Sequence, residues 1–96
     1  MRKYETVYIL RPDLDEAATE AAVAKVEETI KNNGGEVEKT DKWGIKKLAY
    51  EIKDYTEGNY VVVNFTGDNA TVDALDYVYK VSDTIIRSIV IREEEY

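Results

Sequence analysis

The spacing of apolar positions switches along the chain between two residues and three-to-four, and the switches mark out six elements. From Lys3 to Arg11 the run is rich in Tyr, Val, Thr and Ile, a strand composition. Pro12 ends it, and Asp13 or Asp15 can cap a helix, Asp13 and Glu16 having capping-box spacing. Ala22, Val23, Val26 and Ile30 then recur at three- and four-residue steps, predicting a helix to Asn33, where Gly34 and Gly35 stop it. Glu36 to Lys53 reads as one long strand, bent near Trp43 and Gly44, where glycine permits a bulge. Residues 54 to 58 read as a turn, and Asn59 to Thr66 as the most apolar, central strand. Asp68 or Asn69 caps a second helix to about Lys80, with Val72, Leu75, Val78 and Tyr79 on its buried stripe. Thr84 to Arg92 is the last strand.

Each helix joins two strands that must run parallel, and right-handed crossovers put both helices on one face. The middle strands form a hairpin. The order predicts an α+β, ferredoxin-like βαββαβ sandwich: a four-stranded antiparallel sheet of spatial order 4-1-3-2, with one face left open. Nothing resembling a linker or repeat interrupts it, so residues 1–96 are expected to form one domain.

The run from Trp43 to Ile52 stands out because it mixes two aromatics, a glycine and a lysine pair. Strict alternation puts Trp43, Ile45, Lys47 and Ala49 on one side and Lys46, Leu48, Tyr50 and Ile52 on the other. Lysine tips neutralise phosphates, and aromatic rings stack on bases or support lysine stems. The same residues also suit an ordinary edge strand guarded by solvated lysines.

The chain has no cysteine and no histidine, which excludes disulfides, thiolate or imidazole metal sites and histidine acid–base chemistry. No apolar stretch is long enough to span a bilayer, and no membrane partner is expected; the chain reads as cytoplasmic. The net charge of −7 opposes a polyanion at long range, but it is unevenly distributed. Residues 13 to 33 hold six acids and two lysines, a net of −4. Residues 39 to 53 hold five lysines against Asp41 and Glu51, a net of +3, and Glu93, Glu94 and Glu95 add −3 just before Tyr96. An acidic back with a basic working surface is the expectation.

The opening residues Met1 to Glu5, then Leu10-Arg11-Pro12, Leu14-Asp15, Gly34-Gly35, the segment WGIKKLAYEIK and the final Ser82-Asp83, Ile86-Arg87-Ser88 and Val90-Ile91-Arg92 form one ordered set. In these the chain resembles the family of bacterial small-subunit ribosomal protein number six, over essentially its whole length. Ile45 stands where the family is often basic, and Glu51 where many members have proline. The resemblance implies a structural constituent of the small ribosomal subunit, with no catalytic activity, cofactor or small-molecule substrate. It implies binding to the central domain (platform) of small-subunit ribosomal RNA as a heterodimer with ribosomal protein eighteen of that subunit. The matching basic and aromatic positions are Arg2, Lys3, Tyr4, Trp43, Lys46, Lys47, Tyr50, Arg87 and Arg92. Arg2, Lys46, Lys47 and Arg87 are the expected phosphate contacts, whereas Trp43 and Tyr50 serve either RNA or strand packing.

In the last strand, alternation groups Ile85, Arg87, Ile89 and Ile91 against Ile86, Ser88 and Val90. An unpaired guanidinium is costly to bury, so the Arg87 face is assigned to the open side, with Ile89 and Ile91 as contacts for the protein partner. A salt bridge from Arg87 to Glu5 is the structural alternative. Two other functions share the fold. An RNA-recognition-motif-type module for single-stranded RNA needs Tyr8 and a third-strand aromatic together in solvent. An acylphosphatase-like hydrolase needs an anion cradle at Arg11, where Pro12 removes a donor and Asp13 and Asp15 repel phosphate.

Overall fold

The computed structural model describes residues 1–93; Glu94 and Glu95 of the acidic terminus lie outside the described residues. The elements are β1 (Arg2–Leu10), α1 (Glu16–Asn32), β2 (Glu36–Ile52), β3 (Tyr55–Gly67), α2 (Asn69–Val81) and β4 (Ile85–Arg92). The strands form one antiparallel sheet of order β2-β3-β1-β4, the predicted order.

The helix starts follow from side-chain capping. Asp15 accepts the Ala18 N–H at 2.7 Å and begins α1. Asp13, the other capping candidate, is bound instead to Arg11 in a bidentate pair at 3.1 and 2.9 Å. Asp68 caps α2 by accepting from Ala70 and Thr71, while the Thr71 hydroxyl contacts the Asp68 N–H to complete the box. The connection between β2 and β3 is tighter than the sequence suggests. Lys53 and Asp54, both at positive φ, reverse the chain alone, and Tyr55 to Gly58 continue as strand rather than turn.

Even-numbered residues of β1 (Tyr4, Thr6, Tyr8, Leu10) pack under the helices with Val61, Val63 and Phe65 of β3, Val26 and Ile30 of α1, and Leu75 and Tyr79 of α2. Tyr4 stacks on Phe65 and Tyr8 lies against Tyr79. Two polar groups in this layer are linked to backbone in series: Tyr79 donates to Thr6 at 2.7 Å, and Thr6 donates to the Ile89 carbonyl at 3.0 Å. The Tyr8 hydroxyl is buried with no hydrogen-bond partner among the described residues. Burial raises its pKa, and Tyr79 and Glu27 push the same way.

On the other face Ile9, Leu48 and Ile86 form a second, smaller cluster, joined by Ile52, Tyr55 and Tyr60. Leu48 sits on an edge strand, yet it reaches Ile9 because β1 pairing ends at Leu10 opposite Asn59. Beyond that point the β2–β3 hairpin is an arm that curls over the end of β1. Gly58 makes this approach possible, since a Cβ there would collide with Ile9.

Candidate functional site

Two of the sheet's register shifts decide which side of it Trp43, Ile85 and Ile86 join. In β2 the register slips between Lys42, opposite Val61, and Gly44, opposite Tyr60. Gly44 takes φ +83°, the left-handed region that favours glycine. The slip corrects the alternation drawn from sequence: Trp43 does not share the Ile45, Lys47 and Ala49 side but lies against Tyr60, with centroids 6.4 Å apart and planes within 16°. Lys46 follows on the same face, its ammonium 5.1 Å from the Trp43 ring centroid.

In β4, Ile9 faces Arg87 and Leu10 faces Ile85, with Ile86 as the extra residue. Ile86 therefore packs in the open-face cluster and Ile85 in the helix-side core, reversing their places in strict alternation. Arg87, Ile89 and Ile91 keep to the open side, aligned with Ile9, Val7 and Glu5 of β1. Arg87 reaches the arm rather than Glu5. Its Nη1 donates to the Tyr50 hydroxyl, and its guanidinium lies 5.8 Å from the Tyr50 ring centroid. No carboxylate pairs with Arg87 among the described residues.

The open face thus brings together Trp43, Lys46, Tyr50 and Arg87 at the arm, with Ile89 (54 % exposed) and Ile91 (45 % exposed) alongside on β4. The other positions separate. Lys3 stands opposite Thr66 at the far end of the same face, about 20 Å along β1 from the Arg87 position at the strand rise of about 3.4 Å per residue. Arg2 and Arg92 are exposed at that far end but lie in register with Gly67 and Tyr4, on the helix side of the sheet. Lys47 points away from Lys46, onto the reverse of the arm with the exposed Ile45 and Ala49. Tyr4 is a correction: it is 6 % exposed and stacked on Phe65 beneath the helices, so it presents no ring to a ligand.

The basic segment is less available than its count suggests. Lys39 pairs with Asp41 at 3.4 Å, and Lys42 reaches Glu20 on α1 at 2.8 Å. The acids of α1 lie on the side of the sheet away from Arg87, but Arg2, Lys42, Lys47 and Arg92 lie on that side too, and Glu5 and Asp41 lie on the open one, so the acidic back and basic front expected from sequence are not cleanly separated. Tyr60 is not among the site residues expected from sequence, yet it is the ring on which Trp43 rests. The signal was Gly44, whose bulge decides which face Trp43 joins.

The alternatives lose their geometry. Tyr8 is fully buried under the helices, not projecting with Tyr60, which removes the single-stranded module's stacking pair. Arg11 is engaged by Asp13 and lies 5.9 Å from the Tyr55 ring, so an anion at the first strand–helix turn would meet a carboxylate already in place.

Fold and surface define an open-faced ferredoxin-like α+β sandwich with a cation- and aromatic-bearing sheet face. The family model described as Ribosomal protein S6 matches residues 3–92. A small ribosomal subunit protein bS6 of Clostridium botulinum is 49 % identical over 94 residues, covering 98 % of this chain and all of that protein. Its counterpart from Desulfitobacterium hafniense is 42 % identical over 95 residues, covering 99 % of this chain and all of that protein. The crystal structure of 30S ribosomal protein S6 from Thermotoga maritima superposes with a TM-score of 0.92 at 34 % identity, covering 96 % of this chain and 87 % of that one. The chain belongs to the ribosomal protein S6 family, a structural, non-enzymatic class, and is a structural constituent of the small ribosomal subunit in the cytoplasm.

Proposed function

We propose that residues 1–96 act as a single domain that binds the central domain of small-subunit ribosomal RNA, together with ribosomal protein eighteen as heterodimer partner. The observation that carries this reading is the helix-free sheet face, where Trp43, Lys46, Tyr50 and Arg87 gather beside the exposed Ile89 and Ile91. Cations and rings in one strip suit a phosphate backbone with accessible bases. Bare isoleucines on an adjacent strand suit an apolar protein contact. Lys46 and Arg87 are the phosphate contacts at the arm, and Arg2, Lys3 and Arg92 serve the far end. Lys47 meets RNA only where the chain wraps the reverse of the arm.

The net charge of −7 makes partner dependence the natural consequence, because long-range repulsion works against RNA encounter by this protein alone. Affinity for a central-domain RNA fragment, measured with and without protein eighteen, tests the proposal. Binding should be weak alone and at least tenfold tighter with the partner. Equal affinity in both conditions would contradict it.

A further inference from the structure

Beneath the arm lies a pocket of about 240 Å³ lined by Ile9, Leu48, Tyr50, Ile52, Tyr60 and Arg87. Its apolar lining includes Ile9 and Leu48, 6 % and 7 % exposed. Tyr60 joins the pocket to Trp43 and Lys46, so a cation stands at each end of a row of rings: Arg87, Tyr50, the pocket, Tyr60, Trp43, Lys46. The volume is below the roughly 300–1,000 Å³ of sites for drug-sized ligands, so it suits one planar ring system rather than a whole cofactor.

We infer that this pocket takes a single unstacked guanine of an RNA strand, a role that rests on the RNA-binding reading and gives it base selectivity. Single-stranded RNA is read by splaying bases out and stacking them on aromatic or guanidinium planes, and the row supplies both. Arg87 supplies the selectivity. Its Nη1 is held by Tyr50, and the Nε–Nη2 edge has no partner among the described residues. That edge is a fork of two parallel donors, which matches the O6 and N7 acceptors of guanine. Adenine offers N7 beside an amino donor, which meets the fork with one repulsive contact. With the Arg87 fork on the base, a flanking phosphate falls to Lys46 at the other end of the row.

Isotope-labelled protein titrated separately with GMP, AMP, CMP, UMP and ribose 5-phosphate tests the assignment by NMR. GMP should shift the Ile9 and Leu48 methyls and the Arg87 Nε–H, with at least fivefold weaker response to the other nucleotides. Arg87→Lys should abolish that preference while its methyl spectrum remains that of a folded chain. An equal response to all four nucleotides, or ribose phosphate reproducing the Arg87 shift with the methyls unmoved, would overturn it. So would protein eighteen alone moving the same methyls, since the pocket would then hold a protein side chain. The RNA fragment separates the two readings. Wild-type protein that binds RNA with its partner yet ignores GMP refutes the pocket alone; failure to bind RNA refutes the broader function.

Discussion

The two faces of the sheet are built from the same four strands but differ in depth. The helix side buries Tyr8, Leu10, Val61, Val63 and Phe65 completely, with Val26, Ile30 and Leu75 closing over them. The open side has a smaller buried centre of Ile9, Leu48 and Ile86, with Val62 buried opposite Val7, and Trp43 (53 %) and Tyr50 (60 %) stand largely in solvent. One face carries stability. The other keeps rings and cations accessible, and holds its arm in place with a small apolar cluster. Substitutions on the two faces should therefore separate stability from assembly.

The largest effect belongs to the covered face. Phe65→Ala removes a fully buried ring and its stacking on Tyr4, and should lower unfolding free energy by about 3–5 kcal/mol. Chemical denaturation measures it; a loss below about 1 kcal/mol would mean this layer is not the main core.

Next comes the seam between the faces. Gly58→Ala forces a methyl onto Ile9 and should cost about 1–3 kcal/mol as the arm is pushed off β1. Hydrogen exchange should show the arm amides losing protection before those of β1. Uniform loss across the sheet would show that arm and core are one cooperative unit.

On the open face, single lysine changes sharpen the contrast between the two sides of the arm. Lys46→Ala and Lys47→Ala should each change stability by no more than about 0.5 kcal/mol. Lys46→Ala should also reduce the salt dependence of RNA assembly by about 0.7–0.9 in logarithmic slope, the value of one phosphate contact. Lys47→Ala should reduce it less. The reverse ranking would place the RNA on the other side of the arm.

The smallest effect concerns the first turn. Hydrogen bonding from Arg11 holds the Asp13 pKa below its ordinary value. A depressed carboxylate stabilises fully above its unfolded pKa and less as pH falls through the folded one. Asp13→Asn should therefore lower Tm slightly at neutral pH, with the difference vanishing in strong acid. A gap that persists in strong acid would show that the pair contributes nothing through charge.

Much of the architecture is legible in the chain because both apolar periods are strong: Val26 and Ile30 keep helical spacing, and the β3 run of valines marks a central strand. What alternation cannot deliver is the place where it fails. One extra residue at Ile86 exchanges the faces of Ile85 and Ile86, and the Gly44 bulge turns Trp43 toward Tyr60. A glycine signals the second bulge, but nothing in the composition of β4 signals the first. Family resemblance marked Tyr4 as a surface aromatic, whereas its register opposite Phe65 sends it to the core. Tyr50 and Arg87 are 37 positions apart on opposite edge strands, and only the curl of the arm brings them together.

The contrast between a stabilising face and a working face is tested most directly at Arg87. Affinity for the central-domain RNA in the presence of protein eighteen should be measured beside Tm for wild type, Arg87→Lys and Arg87→Ala. The account predicts RNA affinity falling at least fivefold for both variants, more for alanine, with Tm nearly unchanged because the side chain is exposed and without a carboxylate partner among the described residues. Unchanged RNA affinity with a clear fall in Tm would contradict it, and would make the Arg87–Tyr50 contact a fastening of the arm and nothing more.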